Sequence, residues 1–362
     1  MISGFRTAVV AMGAALVAVI GLVFTGRTLH LSREGHVTDR FSKAVEHLGS
    51  AVLEVRLGGI YALERLMRDS PRDRQAMSDV LAAFVRERAP NNSSAAGRAQ
   101  SLIAPGERRL ERARRRVRDA TPATDVQAAL TVLARRPRQS QGGTPLPLDL
   151  SNSYLRGANL FKADLEGAVL FATNLEGAFL KDANLYSANL QNAQLDNAIL
   201  VKANLTLANL AEARLDSADL SKALLVVANL AGASLVRGNL SGARLYSADL
   251  RNARLSLSNL FRAHLEAARL DGARLEGANL ERAHLAKVAV RRPGRRTEPR
   301  RGYLVAKGLT VEQLVTAILY RTRMSQDLAA NPHVQARVAE VEAAIKDESE
   351  RDEVIPPPVR PR

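Results

Sequence analysis

The 362-residue sequence contains no cysteine and no tryptophan, and only 4% of its residues are aromatic. Without cysteine the chain can form neither a disulfide framework nor a thiolate metal site. It also lacks the sequence motifs of phosphate-binding loops, serine nucleophiles and zinc proteases (G-x-x-x-x-G-K-[ST], G-x-S-x-G and H-E-x-x-H). We therefore expect no enzymatic activity and no bound cofactor.

The positive charge of the chain, formally +15, is concentrated in two places. Residues 86–138 carry 13 arginines and five acidic residues, and residues 287–301 carry seven basic residues and one acidic residue. Residues 150–285, by contrast, carry 14 basic and 13 acidic residues. A nearly neutral central segment therefore lies between two basic segments. Basic segments bind anionic partners, which here include acidic proteins, anionic lipids and nucleic acids.

Residues 7–26 form an uncharged, apolar run of 20 residues, which matches the roughly 30 Å thickness of a bilayer core. The run predicts a transmembrane helix. A cleaved signal peptide is the alternative, but its apolar region is shorter, and the residues TGR at 25–27 do not form an A-x-A-like cleavage site. Several basic residues follow the run, so the positive-inside rule predicts a single-pass protein of the cell membrane, with the bulk of the chain in the cytoplasm.

Leucine recurs with a period of five in the central segment. Every position divisible by five from Leu150 to Leu285 is leucine, 28 in succession, and the residue two places earlier is alanine at 23 of 27 positions. Five residues advance an α-helix by about 500°, so the leucines would share no face. On a strand, an odd spacing alternates between the two faces.

The leucines all point inward only if the chain turns a corner every five residues. Four pentapeptides then form one square coil of 20 residues, and the segment forms about seven coils. The leucines stack in the interior, while the narrow space between them requires alanine. The predicted core includes Leu160, Leu180, Leu200, Leu220, Leu240 and Leu260.

The repeated unit has the signature A-[DN]-L-x-x, as in ANLFK at 158–162 and ADLEG at 163–167. Over residues 148–287 this signature resembles the pentapeptide-repeat proteins. The resemblance implies a mainly β solenoid, folded as a right-handed quadrilateral β-helix. The stretch before the repeat is also similar to the helical region that precedes the repeats in actinobacterial membrane proteins of this family.

Helical patterns flank the repeat on both sides. Residues 38–89 place apolar residues at helical spacing and resemble HEAT-type helix pairs. The predicted segments are, in order, the tail 1–6, the transmembrane helix 7–26, the helical region 38–89, a basic and partly disordered linker 90–121, a helix 122–137, the β-helix 148–287, a basic linker 288–308, C-terminal helices 309–348 and a disordered tail 349–362.

The last predicted helix carries an apolar stripe formed by Val334, Val338, Val341 and Ile345. Solenoids need caps, because their terminal coils expose both apolar core and strand edges. The stripe is therefore expected either to cover an open end of the β-helix or to pair with a second copy of the chain in a homodimer.

An arginine-rich stretch at 107–119 also has apolar residues at helical spacing. A helix of this kind can lie on anionic lipid headgroups, and a solvated helix or a disordered stretch is the alternative. Nucleic acid is disfavoured as a partner, because no aromatic residues are interleaved with the arginines.

Residues 20 apart fall one above the other on the outside of the predicted β-helix. Arg214, Arg254 and Arg274 then form a column, with Arg244 nearby on a different face. These four arginines are the candidate surface for binding an acidic protein partner. A solvated face without a partner is the alternative.

Two histidines, His264 and His284, stack in the same way. Imidazoles about 4.8 Å apart could share a metal ion. The spacing indicates no third ligand, so we interpret both as surface histidines and expect no metal site.

The inward assignment of the leucines makes a mutational prediction. Leu220→Asp buries an unpaired carboxylate and disrupts the array, whereas Asp216→Ala is expected to be nearly silent. The second expectation follows from assigning the other three residues of each pentapeptide to the solvent.

Two functional hypotheses follow. The first is a non-enzymatic, membrane-anchored protein-interaction module, whose partner the sequence does not identify. The second is implied by the family resemblance, because some pentapeptide-repeat proteins protect DNA gyrase by imitating DNA. Imitation of DNA requires an acidic surface, whereas this repeat is nearly neutral, and its unbroken register leaves no room for the inserted loop that some gyrase-protecting members carry. The sequence therefore favours the interaction module.

Overall fold

The computed structural model describes residues 37–91, 121–136, 147–285 and 329–352. The chain divides into two compact units, one up to Val80 and one from Leu81 onward. Among the described helices, none is long and apolar enough to cross a membrane. The predicted transmembrane helix 7–26, the arginine-rich stretch 107–119 and the linker 288–308 lie outside the described residues.

The N-terminal unit is built from helices. Residues 37–48 are helical (α1), α2 comprises Leu53–Asp69, and α3, Arg74–Arg88, contributes its first part to this unit. α2 buries Ile60, Leu63, Leu66 and Met67 almost completely. A Cβ atom at Gly59 would lie 2.7 Å from the carbonyl oxygen of Ala44, so glycine at this position lets α2 approach α1 closely. The resemblance of residues 38–89 to HEAT-type pairs stays a prediction.

The repeat in the second unit is a parallel β-helix. The residue before each core leucine, here called the face residue, forms a parallel bridge with the residue 20 positions later, from Asp149–Val169 to His264–His284. The core leucine donates its N–H to the next coil, as from Leu155 to the carbonyl of Asn174 at 2.7 Å. Each face contributes an isolated bridge rather than a longer strand, because the chain turns again within five residues.

The corners of the β-helix are tight turns that follow each core leucine. The core alanine donates its N–H to the carbonyl of the preceding core leucine, as from Ala158 to Leu155 at 3.1 Å. The second of the two corner residues always has a positive φ, between 52° and 70°, which is the conformation of a type II turn. Glycine occupies only seven of these 27 corner positions. The other 20 hold side chains in the left-handed region, at a cost of roughly 1–2 kcal/mol per residue.

The interior is aliphatic along the whole repeat. The leucines from Leu150 to Leu285 are at most 2% exposed, and the six predicted core positions from Leu160 to Leu260 are at most 1% exposed. Burial of a leucine side chain contributes roughly 1.5–3 kcal/mol, so this column is the main stabilising element of the repeat. The small residues that replace alanine at four positions are buried as well, as at Thr173 and Ser258.

Asparagine ladders add polar support on the faces. Asn229 donates its side-chain amide to Asn209 at 3.0 Å, and Asn209 donates to Asn189 at 3.4 Å. The side-chain oxygen of each asparagine also accepts the backbone N–H of the first residue of the next corner, as Asn209 does from Ala211 at 3.2 Å. Each side chain therefore connects neighbouring coils and also satisfies a turn amide, which would otherwise lack an intramolecular partner.

A helix caps the first coil of the β-helix. α4, Thr124–Ala134, lies within the predicted helix 122–137. Gln127 exchanges two hydrogen bonds with the backbone of Asn159, at 2.9 and 3.0 Å, and the carbonyl of Ala134 accepts the N–H of Asp164 at 3.1 Å. In the part of the chain that the structure describes, no earlier coil accepts these hydrogen bonds, so α4 takes that place and protects the edge.

The segment after α3 joins this cap. The N–H of Tyr154 donates to the carbonyl of Ala89 at 2.6 Å, and Pro90 forms an antiparallel bridge with Ser153. Asn91 donates its side-chain amide to the carbonyl of Ala172 at 2.8 Å. The prediction of a linker from residue 90 is therefore wrong at its start, because residues 90 and 91 pair with the first coils.

The C-terminal described element is α5, Pro332–Asp352. Pro332 stands at the first helical position, which proline favours, and the side chain of Asn331 accepts the N–H of His333 at 3.0 Å. The helix continues four residues into the predicted disordered tail 349–362. The physical reason is that no proline interrupts the chain between 333 and 355.

Candidate functional site

The outer surface of the β-helix consists of four faces, each a column of face residues 20 apart. One face carries Arg214, Ser234, Arg254 and Arg274 in consecutive coils, and we call it the Arg254 face. The face two corners away carries Arg244, His264 and His284, and we call it the His264 face. With four faces per coil, these two are on opposite sides of the β-helix.

The four predicted arginines therefore do not form one surface. Arg244 is bridged to His264 on the opposite side from the other three. All four side chains are exposed. Arg254 and Arg274 are direct neighbours in adjacent coils, whereas Ser234 separates them from Arg214.

Arg214 is engaged in an ion pair within the β-helix. Its guanidinium lies 2.9 Å from a carboxylate oxygen of Asp196, of which only 14% is exposed. Burial raises the pKa of the Asp196 carboxyl, and the guanidinium of Arg214 opposes this effect. Arg214 thus neutralises a half-buried acid, which leaves Arg254 and Arg274 as the available part of the column.

Among the described residues, neither Arg254 nor Arg274 forms an ion pair. Arg274 acts on Glu276, whose pKa is held below its usual value by a hydrogen bond from the Ser256 hydroxyl at 2.6 Å and, to a smaller extent, by the charge of Arg274. The backbones of Arg254 and Arg274 are paired in adjacent coils, about 4.8 Å apart, so the two positive charges repel each other and favour an external anion.

Leu257 stands at the corner that borders these arginines. It is 54% exposed, and its φ of 61° places it in the left-handed region. This exposed leucine adds apolar area beside the two arginines. Arg254, Arg274 and Leu257 together form what we call the basic patch.

The basic patch lies in the more positive half of the β-helix. Residues 220–285 carry nine basic and five acidic residues, whereas residues 150–219 carry five basic and eight acidic residues. The repeat as a whole is nearly neutral, but its first half is net negative and its second half is net positive.

The sequence interpretation missed the roles of two acidic side chains that were assigned to the solvent. Asp216 accepts hydrogen bonds from the Ser234 hydroxyl and from the N–H of Val236 at 3.0 Å, both in the next coil. Glu266 is buried, at 9% exposure, and lies against His264 and His284. The expectation that the histidines have no third neighbour capable of binding a metal is therefore wrong. The sequence signal was present, because Glu266 follows His264 by two positions in the same coil.

With this geometry established, comparison with known proteins identifies the family. The model for pentapeptide repeats matches in eight copies, over residues 149–186, 188–225, 228–260 and 258–292. The chain belongs to the pentapeptide-repeat proteins. Proteins of this family fold as right-handed β-helices and are generally structural or interaction modules rather than enzymes.

Solved structures of the same family share the repeat. The chain is 43% identical to Rfr23, a pentapeptide repeat protein from the cyanobacterium Cyanothece 51142, over 24% of this chain and 60% of that protein, with a TM-score of 0.24. It is 36% identical to HetL, a pentapeptide repeat protein involved in heterocyst differentiation regulation from Nostoc sp. strain PCC 7120, over 38% of this chain and 70% of HetL, with a TM-score of 0.18. The match to Rfr23 takes in less than two thirds of that protein.

A more distant similarity is to full-length QnrB1, a plasmid-mediated fluoroquinolone resistance protein, at 14% identity over 51% of this chain and 89% of QnrB1, with a TM-score of 0.18. Because these TM-scores are low, the family assignment rests on the repeat sequence. The similarity to QnrB1 does not indicate what this chain binds. A comparison with curated proteins gives no match.

Proposed function

We propose that the chain is a non-enzymatic protein-interaction module, in which the basic patch binds an acidic surface of a partner protein. The observation that carries this proposal is the pair Arg254 and Arg274, exposed in adjacent coils and without an ion pair among the described residues. Leu257 adds exposed apolar area beside them. Arginine is enriched among the residues that contribute most to protein–protein binding, and apolar area is buried at the core of such interfaces.

The physical basis is the regular spacing of the coils. The β-helix fixes the spacing of the two arginine backbones, and each guanidinium group can receive a carboxylate in bidentate geometry. A carboxylate-bearing partner also relieves the repulsion between the two cations. Because the side chains project from a hydrogen-bonded β-helix, little backbone freedom is lost on binding, which favours affinity.

Membrane attachment is part of the proposal and rests on the sequence. The apolar run 7–26 is proposed to anchor the chain in the cell membrane as a single span, with the β-helix in the cytoplasm. The arginine-rich stretch 107–119 is proposed to add contacts to anionic lipid headgroups. The actinobacterial type of architecture likewise stays a prediction.

The alternative function, protection of DNA gyrase by imitation of DNA, has the wrong charge on the surface that it would use. A DNA mimic needs closely spaced negative charges, whereas residues 220–285 carry an excess of four positive charges. The acidic excess in residues 150–219 is three charges and is divided among several faces. A gyrase supercoiling assay distinguishes the two functions. If the chain is an interaction module, drug inhibition of gyrase is expected to stay unchanged at every concentration of the protein.

The proposal is tested by crosslinking and affinity capture from membranes of cells that express the full chain. Partner proteins are identified by enrichment over a control that contains residues 1–36 alone. Arg254→Glu combined with Arg274→Glu is expected to lose the enriched partner. Arg244→Glu combined with Lys202→Glu makes the same change in net charge away from the basic patch, and we expect it to retain the partner. Equal capture by both double variants would contradict the proposal, as would a lack of any protein enriched over the control.

A further inference from the structure

We propose that His264, Glu266 and His284 form a binding site for a divalent transition-metal ion, with Zn²⁺ as the best match, and that the ion joins the last two described coils of the β-helix. The Nδ1 atom of His264 lies 3.4 Å from Oε1 of Glu266, and the Nδ1 atom of His284 lies 3.7 Å from the same oxygen. The three ligand atoms all lie within 4.8 Å of one another.

These separations fit tetrahedral coordination. Zinc binds histidine nitrogen and carboxylate oxygen at about 2.0–2.2 Å, so two ligands at a tetrahedral angle are about 3.3–3.6 Å apart. The two distances from Glu266 lie in or next to this range. The 3.7 Å contact is too long for a hydrogen bond, so hydrogen bonding alone does not explain why both imidazoles face the same carboxylate oxygen.

The burial of Glu266 is a second, independent observation. Every other residue that follows a core leucine between 151 and 281 is at least partly exposed, whereas Glu266 is 9% exposed. Its Oε2 atom is buried and has no hydrogen-bond partner among the described residues. A buried carboxylate oxygen without a partner is energetically costly, and a bound cation would offset that cost.

The ligand set points to zinc rather than to calcium or magnesium. Two imidazoles and one carboxylate are nitrogen and oxygen donors of the type that bind zinc, with a fourth position open to water, whereas calcium and magnesium prefer all-oxygen sites. Three basic residues close to the site act against the cation: Arg244 is the face residue one coil before His264, and Arg262 and Arg282 precede His264 and His284 by two positions. The Arg244 side chain is exposed, so solvent screens its effect.

The position of the site gives the ion a structural role. His264 and Glu266 belong to one coil, and His284 belongs to the next. The backbone links between them are the hydrogen bonds from the Leu265 N–H to the His284 carbonyl and from the His284 N–H to the Ala263 carbonyl, each 2.8 Å long. A metal ion bound by both coils would strengthen this connection near the end of the regular repeat.

The test is a Zn²⁺ titration of the metal-free full chain without a histidine tag, read by competition with a chromophoric chelator. One equivalent is expected to bind. His264→Asn, His284→Asn and Glu266→Gln are each expected to weaken binding by about 100-fold or more, since even outer-shell changes weaken metal binding by about 10–100-fold. Asparagine already occupies this face at Asn184 and Asn204, so the histidine variants are expected to keep the fold.

His47→Asn is the matched control, because His47 is an exposed histidine of α1 and belongs neither to the β-helix nor to the three-residue cluster. It is expected to leave Zn²⁺ binding unchanged. Absence of saturable Zn²⁺ binding would overturn the proposal, and so would an affinity that is the same in the wild type, His264→Asn and Glu266→Gln.

Amide hydrogen exchange gives a second readout that is confined to the site. Zn²⁺ is expected to slow exchange at the amides of Leu265 and His284 and to leave the coils before residue 224 unchanged. Uniform slowing along the whole β-helix, or none at either amide, would contradict a metal ion that joins the last two described coils.

Discussion

Glycine substitutions at the corners of the β-helix are expected to change stability in opposite directions. The direction depends on whether glycine replaces the first or the second residue of the corner. Ser217 and Ser247 are second corner residues with φ of 59° and 55°. Ser221 and Ser241 are first corner residues outside the left-handed region. Replacement of any of these serines by glycine removes the same hydroxymethyl group, so the two pairs differ mainly in backbone conformation.

The magnitudes follow from the backbone geometry. A side chain in the left-handed region costs roughly 1–2 kcal/mol, and glycine removes this cost. Glycine in turn loses more freedom on folding, which costs roughly 0.5–1 kcal/mol. The net stabilisation is about 0.5–1 kcal/mol per corner, or about 1–2 kcal/mol for Ser217→Gly combined with Ser247→Gly. Ser221→Gly combined with Ser241→Gly carries only the penalty, so it is expected to destabilise by about 1–2 kcal/mol.

The assay is equilibrium unfolding in urea, followed by circular dichroism, with the two double variants compared with the wild type. We expect midpoints on opposite sides of the wild-type value and a difference of about 3 kcal/mol between the variants, with unchanged dependence on urea concentration. If both double variants were destabilised by the same amount, the corners would not be type II turns with a left-handed second residue, and the description of the coil would be wrong.

Four further outcomes are expected. Leu220→Asp, which buries an unpaired carboxylate, lowers the unfolding free energy by more than about 4 kcal/mol, whereas Leu220→Met lowers it by less than about 1.5 kcal/mol; similar melting temperatures would refute the inward assignment. Asp216→Ala lowers the unfolding free energy by about 1–3 kcal/mol in urea titrations, because it removes the acceptor for Ser234 and Val236, and a silent substitution would contradict this. Gln127→Ala speeds hydrogen exchange at the amide of Asn159 and leaves later coils unchanged; uniform acceleration would show that α4 is not a local cap. Hydrogen bonds from Arg251 lower the pKa of Asp249 below its usual 3.8, so the carboxylate stabilises the fold above that value and loses this contribution as pH falls through the lower folded pKa. Asp249→Asn is therefore expected to show a smaller loss of stability from pH 5 to pH 3, and an unchanged loss would refute the linkage.

The architecture of the repeat could be predicted because each pentapeptide repeats the same physical constraint. A leucine every fifth residue is incompatible with a single helical face or a flat strand, so Leu150 to Leu285 determine the coil by themselves. The left-handed corners are less visible in the sequence. Glycine normally marks such positions, but residues such as Leu207 and Val227 occupy them here, because hydrogen bonds on both sides of each corner hold the backbone in place.

The N-terminal cap could not be derived, because it depends on contacts between residues far apart in the chain. The pattern of residues 122–137 predicts a helix but does not indicate that Gln127 lies against Asn159, 32 residues away. The same holds for residues 90 and 91, whose composition resembles a linker although they pair with the first coils. Edge amides need partners, but the pattern does not show which segment supplies them.

The candidate site was predicted only in part. Counting in steps of 20 gives the column of Arg254 and Arg274, but it cannot show that Arg214 is neutralised by Asp196, since that contact joins two different positions of the pentapeptide. The positions of Leu257 beside the arginines and of Glu266 between the histidines were missed, because the sequence analysis treated all corner residues as equivalent solvent-facing positions. Their exposure differs, 54% against 9%, because each depends on the side chains around it rather than on the repeat.

The most direct test of the central claim, that the basic patch binds an acidic protein partner, is site-specific photocrosslinking in cells. A photoreactive amino acid is placed at position 254, and in a second strain at position 244, which is also exposed but lies on the opposite side of the β-helix. We expect a partner protein to be crosslinked from position 254 and not from position 244, and the crosslink to disappear with Arg274→Glu. Equal crosslinking from both positions, or none from position 254, would contradict the claim.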